Sequence, residues 1–131
     1  MKIAPDTNVL LRAVVRDDKR QAEVAARLLR DAELIAIAMP SLCEFVWVLR
    51  WLYGFSASDA ASAIRVLLSA KNVEANRPAV EQGLAVLEAG GDFADGAIAY
   101  EGRWLGGEAF VSFDRKAVDV LARLGEPTRL L

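Results

Sequence analysis

The sequence predicts an α/β fold: a short parallel sheet with helices packed on both of its faces. Three observations lead there. Short apolar segments of strand character alternate with helical segments from one end of the chain to the other. Glycine, proline, serine or aspartate punctuates the changes, at positions that start or stop helices. No repeat, low-complexity run or linker interrupts the alternation, and 131 residues suit one domain, residues 1–131, with a real core. Strands joined by crossover helices pair in parallel, and right-handed crossovers carry every strand C-terminus to one edge. That edge is where open α/β sheets place ligands.

Strand segments are expected at residues 2–5, 34–38, 73–75, 108–111 and 128–130. Pro5 cannot donate to a ladder, so pairing on its side must already have ended there. Residues 19–30 form a helix with Val24, Ala25, Leu28 and Leu29 on one face and Glu23 and Arg27 paired outside. Residues 41–53 are almost wholly apolar and are expected to be buried. Ser56 or Ser58 caps a helix carrying Ile64, Val66, Leu67 and Leu68, which fades between Ser69 and Asn72. Pro78 suits the first turn of a helix that runs to Glu88 and is stopped by Gly90-Gly91. Helices over 92–104 and 115–124 complete the set, the last ended by Gly125 and Pro127.

Composition narrows the chemistry. With no histidine, an imidazole-based serine or cysteine hydrolase and nearly every zinc site are excluded. The single cysteine, Cys43, cannot close an internal disulfide, which points to a reducing cytoplasm. No apolar run reaches the roughly 18 residues of a membrane span. The start, Met1-Lys2-Ile3-Ala4-Pro5-Asp6, is too short and too soon acidic for a secretory signal. The net charge of −2 counts mildly against a nucleic-acid binder, but one bound divalent cation would cancel it.

Chemistry must therefore run on carboxylates, and four stand out. Asp6 opens Asp6-Thr7-Asn8-Val9-Leu10-Leu11, where the first strand hands over to a helix. An N-cap explains the aspartate but not the hydroxyl and amide that follow it. Glu44 stands among apolar residues with no basic partner one turn away; Ser41-x-x-Glu44 also reads as a capping box, and both readings stay open. In Asp92-Phe93-Ala94-Asp95-Gly96, Asp92 suits an N-cap and Asp95 is the better ligand candidate. Asp114 follows the fourth strand in Ser112-Phe113-Asp114-Arg115-Lys116, again as a ligand or a cap. All four fall at strand ends or first helical turns compatible with one rim. Like charges gathered there repel unless a cation neutralises them, and oxygen-only ligands suit Mg²⁺ or Mn²⁺.

Together these segments resemble the PIN-domain nucleases, and in particular the VapC-type toxins of type II toxin–antitoxin systems. The resemblance runs through essentially the whole chain: Asp6-Thr7-Asn8-Val9-Leu10-Leu11, Glu44 in its apolar helix, Asp92-Phe93-Ala94-Asp95-Gly96-Ala97-Ile98-Ala99 and Ser112-Phe113-Asp114-Arg115 stand in family order. It implies a three-layer α/β/α sandwich and a metal-dependent endoribonuclease that works with Mg²⁺, or with Mn²⁺ as a substitute. Asp6, Glu44 and Asp95 match the family's core acids, Asp114 the more variable fourth, and Asn8 and Ser112 match supporting positions. The resemblance further implies a homodimer held inactive by a cognate antitoxin protein. Pro5, Cys43 and Gly96 depart from the usual pattern without removing a motif residue.

Thr7 and Asp92 complete the supporting set. Of the cations able to hold RNA phosphates (Arg12, Arg16, Arg50, Arg103, Arg115 and Lys116), Arg12 and Arg115 are the chosen pair. Other classes fit less well. An aspartyl-phosphate phosphatase would place a second acid where Asn8 stands. A receiver domain would need its adjacent acids after the first strand, yet the only such pair, Asp17-Asp18, lies well downstream. A pure binding module could use Trp47, Trp51 and Trp104 as an interface, although buried core is the commoner role for such residues.

Overall fold

A computed structural model describes residues 1–131, and the chain divides into two compact units, Met1–Ala75 and Asn76–Leu131. The first contains β1 (Lys2–Ile3), α1 (Thr7–Val15), α2 (Lys19–Asp31), β2 (Leu34–Ala36), α3 (Met39–Trp51), α4 (Ala57–Ser69) and β3 (Val73–Glu74). Its strands pair in parallel in the order β1-β2-β3, with Ile3 beside Ile35 and Ile35 beside Val73. The second contains α5 (Arg77–Glu88), α6 (Phe93–Trp104), β4 (Phe110–Ser112), α7 (Arg115–Arg123) and β5 (Thr128–Leu130). There β4 pairs with β5, also in parallel. Parallel pairing is what the alternation predicts, and the hydrogen-bonded strands fall into one set in each unit.

The first three strands end earlier than expected, β4 is shifted to start two residues later and end one later, and β5 matches its expected bounds. β1 stops at Ile3, two residues before the buried Pro5, so the proline costs no ladder bond. Helix starts follow their caps closely. Ser56 accepts from the Asp59 amide at 3.0 Å, Asp18 from the Gln21 amide at 3.0 Å, and Asn76 from the Ala79 amide at 3.4 Å. Gly125, with φ +87°, follows the C-terminal turn of α7, a left-handed position suited to glycine.

Three expectations fail in detail. The helix expected over 41–53 begins at Met39, with Pro40 in its first turn and Ala38 as a cap that makes no side-chain bond. It is also not buried all round: Leu42, Phe45, Val46 and Leu49 form the core face, while Trp47 and Trp51 are 53% and 65% exposed. In α2 the buried residues are Ala22 and Ala25, whereas Val24 and Leu28 face outward. Small alanines let α1 and α2 pack closely, and the larger side chains are left on the flank.

In the second unit α5 and α6 touch almost backbone to backbone. A Cβ built on Gly96 would lie 2.6 Å from the Gln82 carbonyl oxygen and 2.7 Å from the Gly83 Cα. Gly96, one of the departures from the resemblance described above, is therefore what this helix pair requires. Val86, Val120 and Leu121 form a core cluster there, with Ala89, Ala99 and Phe110 packed against it.

Candidate active site

In the first unit, Asp6 lies just past the C-terminal end of β1 and caps α1. Its Oδ1 accepts from the Val9 amide at 3.1 Å. The bond occupies one carboxylate oxygen and leaves Oδ2 outside the cap, so capping and ligation are compatible uses of this side chain. Thr7 is half-buried at the first position of α1, and the exposed Asn8 follows it. Asp6, Asn8, Val9 and Arg12 line one wall of a groove of about 570 Å³ whose other wall is α2.

Glu44 is exposed on α3, one turn in from the helix start. Because α3 begins at Met39, Ser41 is a helical residue and not a cap, so the Ser41–Glu44 capping box does not form. Glu44 thus has no capping role to explain it.

The second unit brings three of the acids into one electrostatic neighbourhood. Asp92 caps α6, accepting from the Ala94 amide at 3.2 Å, and Asp95 sits half-buried in the first turn. Asp114 caps α7 by accepting from the Lys116 and Ala117 amides at 3.0 and 3.3 Å. The Ser112 hydroxyl accepts from the Asp114 amide at 2.9 Å and so fixes the turn that presents this carboxylate. Burial, then the charges of Asp92 and Asp114, push the Asp95 carboxyl up to about 6 from the usual 3.8. A carboxylate raised in this way keeps its proton up to about pH 6, well above an ordinary aspartate, and a bound cation would favour its ionised form.

Within neither unit do three such side chains close on one point at ligating distance. Magnesium does not require that. It keeps several waters and is often bound directly by only one or two carboxylates. The donor chemistry fits a hard cation: oxygen ligands only, one of them desolvated, with capping acids beside it that each keep a free oxygen.

The sequence model of the PIN domain family matches residues 3–124. The chain belongs to the PIN-domain family. A comparison with curated proteins finds no match. PIN domains are generally nucleases and typically use divalent metal ions, and the helix-rich α/β build with short parallel strands is consistent with the family's α/β/α fold. No helix of this PIN domain is long and apolar enough to cross a membrane.

Among the candidate cations, Arg115 and Lys116 are exposed at the start of α7. Arg103 pairs with Glu126, and Arg50 donates to the Phe55 carbonyl and lies over the Trp51 ring. Arg12 is held by Asp17, Gln21 and Tyr53. The sequence gives no sign of that cluster, because Tyr53 meets Asp17 only through the fold. The tryptophans depart from the core role: Trp104 is 77% exposed, as Trp47 and Trp51 are in the first unit.

Proposed function

We propose that this PIN domain is a Mg²⁺-dependent endoribonuclease that hydrolyses RNA phosphodiester bonds, the toxin of a toxin–antitoxin pair. The observation that carries the reading is Asp95. A half-buried carboxylate pushed up to about 6, beside two further acids, is unfavourable in a merely structural role and suits a bound cation. Asp6 and Glu44 in the first unit, and Asp95 and Asp114 in the second, are the acids proposed to ligate metal directly or through its waters, in a single nuclease domain of residues 1–131. Mn²⁺ would substitute. When bound, the ion supplies positive charge against a phosphate oxygen and acidifies a water.

The chain's own residues do the rest. Asp95, once deprotonated, supplies the least solvated negative charge of the set. Glu44, which is exposed and caps nothing, would accept a proton, as would the second oxygen of Asp114. Ser112 fixes the turn that carries Asp114, and Asp92 caps the helix that carries Asp95. Arg115 and Lys116, next to Asp114 in sequence, offer positive charge to the phosphates of the strand being cut.

Exposed aromatic residues support a protein partner as well. Trp47 and Trp51 are one turn apart on α3, the spacing of a shared helix face, and suit an interface with a second copy or with a cognate antitoxin. The receiver alternative loses its motif, since Asp18 caps α2 and Asp17 is bound to Arg12 and Tyr53. The reading places the protein in the cytoplasm.

The test is cleavage of single-stranded RNA by purified protein with Mg²⁺, with Mn²⁺ and with chelator, compared with Asp6→Asn. Cutting that needs the ion and is lost in the variant is the expected result. Equal activity in the metal-free variant would remove the proposal.

A further inference from the structure

Three polar side chains from separate segments of the first unit meet around Arg12. Its Nε donates to Gln21 Oε1 at 2.6 Å and its Nη1 to Asp17 Oδ1 at 3.0 Å, with the Tyr53 hydroxyl 3.5 Å from Nη1. Tyr53 in turn donates to Asp17 Oδ2 at 2.9 Å. The cluster joins α1, the α1–α2 turn, α2 and the segment after α3. The turn itself is strained: Arg16 closes α1 in the left-handed region at φ 59°, which brings Asp17 back over the helix it has just left.

Stability alone accounts poorly for this arrangement. The Arg12–Asp17 pair is 30% and 45% exposed at its two side chains, and exposed pairs stabilise folds weakly. Freezing a long arginine side chain costs entropy that offsets much of the gain. What the cluster does provide is orientation. It engages Nε and Nη1 of the guanidinium and leaves Nη2 without a partner in the protein. Arg12 also lines the groove that contains Asp6 and Asn8, on the same face of α1.

We propose that Arg12 anchors a phosphate of the RNA strand in the α1–α2 groove, and that Tyr53, Asp17 and Gln21 are positioning residues that hold its guanidinium aimed there. The inference rests on the nuclease reading for the identity of the polyanion. The partners constrain the fork before RNA arrives, so less freedom is lost on binding. Tyr53 is the pivotal positioner: its hydroxyl, ahead of the Arg12 charge, keeps the Asp17 carboxyl below the usual range, so the partner of Arg12 stays ionised.

Binding of a short single-stranded RNA is measured against salt in an Asp95→Asn background, while cutting is measured separately in otherwise wild-type protein. Adding Arg12→Ala is expected to weaken binding about tenfold and to reduce the slope of log affinity against log salt by about 0.7, the value of one single-strand phosphate contact. Arg12→Lys should keep the slope but not restore the affinity, because a point charge lacks the fork. Tyr53→Phe should weaken binding about threefold with the slope kept, since the charge remains and only its aim is lost. An unchanged slope in Arg12→Ala, wild-type affinity in Tyr53→Phe, or no RNA binding at all would each overturn the proposal. If RNA binds and these shifts appear but wild-type protein cuts no RNA, the positioning stands and the nuclease reading falls.

Discussion

At the scale of single residues, the acids differ in what else they do, and that separates their tests. Asp95 carries a stability signature. Its folded pKa is raised from 3.8 to about 6, so the contribution it makes to folding is present below pH 4 and is lost as pH rises through about 6. In chelator, the wild type is therefore expected to melt higher at pH 5 than at pH 7. The part due to Asp95 should be about 1–2 kcal/mol after discounting for its partial exposure to solvent, and thermal melts of Asp95→Asn should lack it. Mg²⁺ competes with the proton, so activity should fall as pH drops through about 6, at lower pH when Mg²⁺ is raised. Glu44 and Asp114 form a second contrast. Glu44 caps nothing, so Glu44→Gln should melt within about 0.5 kcal/mol of wild type while losing cleavage. Asp114→Ala removes a cap and should cost about 1 kcal/mol whatever its role in cutting, whereas Asp114→Asn keeps the cap and isolates the chemistry.

At the scale of elements, the two glycines of α6 give opposite predictions. Gly96→Ala drives a Cβ into the Gln82 carbonyl, a backbone atom that cannot yield without moving α5. It should destabilise by about 1–3 kcal/mol, outweighing the gain in helix propensity of about 1 kcal/mol. At Gly102 a Cβ meets nothing, so Gly102→Ala should stabilise by about 0.5–1 kcal/mol, read by the same denaturant titration. Helix starts were legible where one cap stood alone, as at Asp92 and Asp114, whereas sequence left Ser56 and Ser58 both open and the structure chose Ser56. The start of α3 was not, because two local signals competed. Pro40 marked the true first turn, and Ser41-x-x-Glu44 imitated a capping box one position further on. The faces of α3 were illegible for another reason. With Trp47 and Trp51 as apolar as Phe45 and Leu49, periodicity does not tell the core side from the exposed one.

At the scale of the whole molecule, the order of the motifs carried the family, and the match over residues 3–124 bears that out. The fold class was readable because alternating strands and helices leave few topologies open. The Arg12 cluster was not, since contacts between residues far apart in sequence exist only once the chain has folded. Nor did sequence resolve whether an aspartate caps or ligates. Here Asp6 and Asp114 each cap through one oxygen and keep the other, so the two roles never excluded one another. Carboxylates of this chain are proposed to hold a divalent ion with which it cuts RNA. Calorimetric titration of Mg²⁺ into wild-type protein and Asp95→Asn, paired with cleavage of the same RNA, tests it most directly. Binding and cutting that are both present in the wild type and both lost in Asp95→Asn are expected. Equal cutting by the two proteins, or cutting by wild type in full chelation, would contradict it.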